Sequence, residues 1–154
     1  MKQYLIDTFN FNDTMNKLVL EKMKEMPEPA EAVKLFSHLI NSQNKWMARI
    51  NEDPKAPDMF WFEPVYELNA LETNWNKSLS AWLNFLGKIS DEDMNREIHF
   101  IGDNRGHFGA KIKDVALQLN YHSIHHRAQI CTLLRKQNIK PPFVEYFGTV
   151  RKQY

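Results

Sequence analysis

Two histidines interrupt what is otherwise an aliphatic stripe. Ile112, Val115, Leu119, His122, His126, Ile130 and Leu133 recur at steps of three and four, the spacing that puts residues on one face of an α-helix. Five of the seven are branched aliphatics, as a core face demands. An imidazole buried there without a partner costs about 1–3 kcal/mol, so the pair needs a compensating interaction. Residues i and i+4 differ by about 40° around a helix and about 6 Å along it. Two imidazoles so placed can converge on one divalent ion at Zn–N distances of about 2.0–2.1 Å. The spacing is that of HExxH without its glutamate, because Ser123, Ile124 and His125 intervene. The competing reading is a pair of ordinary histidines with no ion between them. His125 stands about 100° from His126 and off the stripe, and reads as a surface or hydrogen-bonding histidine.

Two residues do not complete a tetrahedral site, so a further ligand must come from another element. His38 is the best placed. It lies in LFSHLINSQNKWMARI, at the edge of an apolar helical face near Leu35 and Ser42; the alternative is a half-exposed histidine without an ion. His99 and His107 fall in or beside a turn-rich segment and read as exposed unless that segment folds over the bundle mouth. Cys131 lies about 180° around the helix from His122 and reads as a small packing residue, not a ligand.

The elements that must position these side chains are mostly helices. Leu5, Phe9, Asn12, Asn16, Val19, Met23 and Met26 keep a three-four rhythm, predicting a first helix over about 3–25. Pro27 and Pro29 end it, and Pro29 suits the first turn of a second helix that runs to about Ile50. NEDPKAPDMFWFEP breaks the pattern, with Pro64 expected to open a third helix lined by Val65, Leu68, Trp75, Leu79, Trp82 and Leu86, as far as Lys88. In REIHFIGDNRGHFGAKI, alternating Ile98 and Phe100 flank turn chemistry, which predicts a short β-hairpin. A fourth helix is expected over 113–137, stopped by Pro141-Pro142, and the tail FVEYFGTVRKQY is apolar enough to dock as a short helix. The expected fold is therefore all-α: a four-helix bundle in a single domain, 1–154, with a short β-hairpin between helices three and four and a short C-terminal helix. The long connections 51–63 and 89–112 permit crossovers.

Composition narrows the function. Twenty basic and 19 acidic residues nearly cancel, without the basic stripe of an electrostatic nucleic-acid binder. No apolar run is long enough to span a bilayer, and MKQYLIDTFNFND lacks the apolar core of a signal peptide. One cysteine allows no internal disulfide, which suits a cytoplasmic home.

The segment LNYHSIHHRAQICTLLRKQNIKPPFVEYF resembles the carboxy-terminal signature of the DinB-like (YfiT-like) superfamily, regarded as metalloenzymes: H-x-x-x-H-R-G-Q-I, then L-R, then a Pro-Pro step. HLINSQNKWMARI is similar to the family's H-x(7)-W-x-x-R-I pattern at His38, Trp46, Arg49 and Ile50, and FNFNDTMNKLV to its opening motif. The resemblance implies a bundle with a divalent metal at one end, held by His38, His122 and His126. It also implies a homodimer, for which the aromatic segments Phe60–Phe62 and Phe143–Phe147 could supply apolar contact area. Some members of that superfamily are thiol transferases or isomerases that use low-molecular-weight thiols such as bacillithiol or mycothiol. Two positions depart from the pattern: Gln118 stands where a further histidine is common, and Ala128 where glycine is usual.

Three protein ligands would leave a fourth position open for water or substrate, as in catalytic zinc sites. An ion there would lower the pKa of bound water or thiol. Imidazoles suit nickel, copper and iron as well as zinc; one zinc or nickel ion per chain is the expectation, with a low-molecular-weight thiol as a co-substrate of the transferase reading. Gln118 and Gln129 lie about 40° and 20° from His122 on the same helical face and could orient ligands or substrate, or serve as interface polar groups. Asn12 and Asn16 could face the same cavity or bond to each other. Glu72, near the third helix's seam, is a candidate general base against a solvated edge position. Arg127 projects away from His126 and reads as a structural pair. Phe60–Phe62 could wall a pocket or cover the bundle end. The reading is a metal-dependent hydrolase or thiol S-transferase acting on a small molecule, with no nucleic-acid or membrane partner. The competing classes are a non-catalytic bundle braced by its metal and a module that sequesters a small molecule or metal.

Overall fold

A computed structural model describes residues 1–153 of the chain. Its helices are α1 (Lys2–Met23), α2 (Ala30–Ile50), α3 (Leu71–Lys88), α4 (Ile112–Lys136) and the short α5 (Tyr146–Val150), with strands β1 (Glu97–Ile101) and β2 (His107–Lys111) between α3 and α4. α1 and α2 each pack against both α3 and α4, so α1 and α2 face each other across a diagonal of the bundle. α2 is buried on most of its circumference, because α3 and α4 cover two sides and the hairpin and the 51–67 connection lie against a third.

The core is split by a polar layer. One apolar cluster gathers Val19, Leu20, Met23, Phe36, Leu39, Trp75, Ile130 and Leu134. The other gathers Leu5, Phe9, Ile50, Leu79, Trp82, Leu86, Ile98, Ile112, Val115 and Leu119. Between them along α1 and α4 lie Asn12, Asn16, Asn120, Ser123 and Arg127, all buried. Arg127 Nη1 donates to Asn12 Oδ1 at 2.8 Å and to Asn16 Oδ1 at 2.9 Å. The two amides in turn donate to Asn120 Oδ1 and Ser123 Oγ, both at 2.8 Å. Buried polar groups are tolerated when their bonds are made, and this network makes them. Asn12 and Asn16 therefore spend their side chains on Arg127 and α4, while Arg127 is the structural pair expected of it.

The third helix begins later than its sequence suggests. Pro64 does not open it; residues 64–67 carry no helix, Val65 is exposed, and only a 3-10 turn at Leu68–Ala70 precedes Leu71. The cause lies in α2. Asn41 Nδ2 donates to the Pro64 carbonyl at 3.0 Å and Ser37 Oγ accepts from the Tyr66 amide at 3.0 Å. These side chains take the backbone groups that a helical turn would have used. At the same end of the bundle, α4 ends at Lys136, before the prolines, and Asn138 just beyond it has a φ of 60°, the left-handed cap conformation that asparagine tolerates.

The hairpin pairs Ile98 with Ala110 and Phe100 with Phe108 in antiparallel register. Ile98 is buried, and Phe100 meets the Trp46 ring of α2 edge-on at 5.0 Å. α5 rests on α1 through Tyr146 against Phe11. Among the described residues, no helix is long and apolar enough to cross a membrane.

Candidate metal centre

The stripe of α4 carries His122 and His126 to the face turned toward α2, where His38 meets them. His38 and His126 are buried and His122 half-buried. Their Nε2 atoms converge: His122 Nε2 lies 2.9 Å from His38 Nε2 and 2.9 Å from His126 Nε2. One ligand atom from each residue falls within 4.8 Å of the other two. All three histidines lie more than two turns from the ends of their helices, level with the polar layer. The group thus sits on the flank of the bundle, not at its end as the family resemblance implied.

The outward ring nitrogens decide the tautomers. His38 Nδ1 is 2.8 Å from the main-chain carbonyl of Trp61. A carbonyl can only accept, so Nδ1 carries the proton and the Nε2 lone pair of neutral His38 is bare. His126 Nδ1 is likewise 2.6 Å from Gln129 Oε1, which leaves its Nε2 bare as well. His122 Nε2 faces both lone pairs and can offer a proton to only one. A cation satisfies all three at once. The 2.9 Å spacings are a few tenths of an ångström short of the about 3.3 Å that separates nitrogens in a tetrahedral site with Zn–N near 2.05 Å, so a slight spreading of the rings would fit the donor set.

Electrostatics favours the neutral, ligating form. Burial, then the neighbouring His126, His38 and His125, pushes His122 down to about 3. Burial also lowers His38 and His126, against the opposing pull of their bonds to Trp61 and Gln129. Imidazoles that stay unprotonated keep their lone pairs for a metal.

A cleft of about 370 Å³ opens beside the histidines, lined by His38, Ser42, Trp46, Trp61, Gln118, Leu119 and His122. None of these carries a carboxylate. Phe62 stacks on the His38 ring, with centroids 4.0 Å apart and planes 5° from parallel.

A family model, the DinB superfamily, matches residues 17–130, a span that contains all three histidines. The chain belongs to the DinB superfamily. Neither a curated protein nor a solved structure matches it.

In this DinB-superfamily chain the other residues singled out by sequence scatter. Gln118 is exposed at the rim of the cleft, and Gln129 is exposed and bound to His126, with its amide nitrogen 3.3 Å from His125 Nε2. Glu72 is exposed in the first turn of α3, outside the cleft lining. His99 and His107 are exposed on the hairpin, and Cys131 is buried in the apolar core. Ala128 is exposed, so its methyl obstructs no helix contact. The triplet Phe60–Phe62 divides: Trp61 walls the cleft, Phe62 covers His38, and Phe60 is exposed. Trp61 contributes through a main-chain oxygen, and every residue has one, so nothing in the sequence marks it. Ser42 had a faint signal, one turn from His38 on the same face.

Proposed function

We propose that the protein is a metal-dependent enzyme in which His38, His122 and His126 hold one divalent ion, zinc or nickel, and that it hydrolyses a small molecule or transfers a low-molecular-weight thiol to one. The observation that carries the reading is the convergence of three Nε2 atoms, two of them deprotonated by their outward bonds, at the side of an open cleft. A divalent ion so held supplies a Lewis acid that lowers the pKa of water or thiol toward neutrality.

The chain's own residues do the rest. Trp61 and Gln129 fix the rings of His38 and His126 from behind, a support that is worth about 10–100-fold in metal affinity at comparable sites. Trp46, Trp61 and Leu119 give the cleft apolar walls that exclude water and hold the carbon part of a substrate. The Gln118 amide at the rim can donate to or accept from a substrate's polar group. Ser42 is already committed, since its hydroxyl donates to the His38 carbonyl at 2.7 Å, so it is not available as a nucleophile. With no carboxylate in the cleft lining, the proton that the nucleophile loses passes to solvent at the open cleft or to the leaving group of the substrate. The single cysteine, buried and unpaired, suits a reducing cytoplasm.

A panel that pairs small electrophiles with cellular thiols, run beside ester and amide substrates, tests the reading. Turnover should vanish on chelation and return with added metal. Turnover that persists in a verified metal-free His122→Ala protein would contradict it. Absence of turnover on every substrate, with a protein side chain closing the fourth position, would favour a metal that only braces the bundle.

A further inference from the structure

The hairpin reaches the histidines without touching them. Its turn closes through a hydrogen bond from the Gly102 amide to the Gly106 carbonyl at 2.8 Å, which sets Asp103 at the tip. Asp103 is about half exposed, yet both of its carboxylate oxygens are engaged. Oδ1 accepts from Lys45 Nζ at 2.8 Å, and Oδ2 accepts from the indole Nε1–H of Trp61. Lys45 is almost wholly buried on α2; it also donates to the Met59 carbonyl at 2.7 Å and lies 4.3 Å over the Trp61 ring. Arg49, one turn along α2, stands 3.8 Å from the same carboxylate. One side chain on the hairpin thereby fastens the loop segment 59–61 to α2. The carbonyl of that same Trp61 is what holds His38 Nδ1.

We propose that Asp103 is a positioning residue for His38. It fixes the Trp61 indole, and the indole fixes the register of the main chain whose carbonyl sets the His38 tautomer and ring orientation. The proposal rests on the reading of His38 as a metal ligand, but its first consequence concerns the imidazole alone. Without the carboxylate, Lys45 loses its counter-charge and Trp61 its acceptor. The 59–62 segment is then held to α2 by fewer bonds, and the Trp61 carbonyl no longer stays over Nδ1. Outer partners of metal-binding histidines act in this way, by selecting the tautomer and the orientation of the ring.

Asp103→Ala and Trp61→Phe test the proposal together. Trp61→Phe removes the indole donor while keeping an aromatic ring beside Lys45 and the Lys45–Asp103 pair, so it leaves no buried charge unpaired and decides the matter if Asp103→Ala does not fold. In the metal-free protein, long-range proton–nitrogen NMR of the imidazoles should show His38 as the Nδ1–H tautomer. Each variant should turn it into a mixture of tautomers. In zinc competition titrations each variant should raise the Kd about 10-fold, the low end for loss of an outer partner. The double variant should do little more than either alone, because both changes cut one chain of contacts. A purely structural role would lower the melting temperature and leave the tautomer of the folded protein unchanged. Unchanged tautomer and unchanged zinc affinity in a folded variant would overturn the proposal. If the wild-type protein takes up no zinc, the ligand reading of His38 fails, while the tautomer measurement still decides the role of Asp103.

Discussion

The Trp61 carbonyl and His38 Nδ1 stand 2.8 Å apart, and this one bond turns a buried histidine into a directed lone pair. A loop 23 residues downstream thereby specifies which nitrogen of an α2 side chain faces α4. Gln129 does the same for His126 from within α4.

Removal of a ligand should be distinguishable from removal of a neighbour. His38→Ala, His122→Ala and His126→Ala should each weaken zinc binding by more than about 100-fold, beyond what outer partners contribute. His125→Ala should bind as the wild type, since His125 is exposed and points off the seam. Competition titration against a chromophoric chelator measures all four. Loss of binding in His125→Ala with retention in His122→Ala would refute the assignment.

The two glutamines should separate by phenotype. Gln129→Ala removes the acceptor on His126 Nδ1 and should weaken metal affinity about 10-fold. Gln118→Ala, at the cleft rim, should leave affinity unchanged and raise KM for whatever substrate the panel identifies. Equal metal affinity in both variants would show that the His126–Gln129 bond does not support the site.

How far the residues alone disclosed this arrangement depends on the range of the interaction. His122 and His126 stood out because a four-residue step is a local geometric fact, and the same rhythm located the helices. His38 was legible as a polar residue at the edge of an apolar face, and the family pattern strengthened it. Asn12, Asn16 and Arg127 were visible as interruptions, but their partners lie on different helices, and pairing across the bundle leaves no mark in spacing. The start of α3 was misplaced because the local signal of Pro64 is outweighed by Ser37 and Asn41, which lie more than 20 residues upstream. Trp61 and Asp103 act through a main-chain carbonyl and a turn tip, and only the folded chain brings them to α2.

The metal-free protein should lose stability in acid through its histidines. His122 titrates near 3 when folded and near 6.5 when unfolded. Between those values the unfolded chain binds more protons, so this contribution to stability is complete above about pH 6.5 and is lost progressively as the pH falls toward 3. Chemical denaturation of metal-free wild type and His122→Ala at pH 7 and pH 4.5 isolates the contribution of His122. The wild type should lose more stability than the variant; equal losses would show that His122 is not held neutral by the fold.

Arg127 should matter to the fold and not to the metal. Arg127→Leu leaves the side-chain oxygens of Asn12 and Asn16 without their donor in a buried layer, at a cost of about 1–3 kcal/mol for each unsatisfied group. Urea unfolding should show a loss of about 2–6 kcal/mol while the metal content per folded chain is preserved. A variant as stable as the wild type would mean that water replaces the guanidinium without penalty.

We also predict a homodimer joined through the exposed aromatics, among which Phe60, Phe143 and Phe147 are each more than 60 % exposed. Sedimentation at micromolar concentration should show twice the chain mass, and Phe147→Glu should shift it toward monomer. A single species of one chain mass in the wild type would rule this out.

Elemental analysis of protein purified without a histidine tag, joined to zinc and nickel titration of the stripped protein, tests the central claim most directly. The geometry of His38, His122 and His126 predicts about one divalent ion per chain, absent from His122→Ala. A wild-type protein that arrives metal-free and takes up neither ion, or a His122→Ala protein that binds as tightly as the wild type, would contradict it.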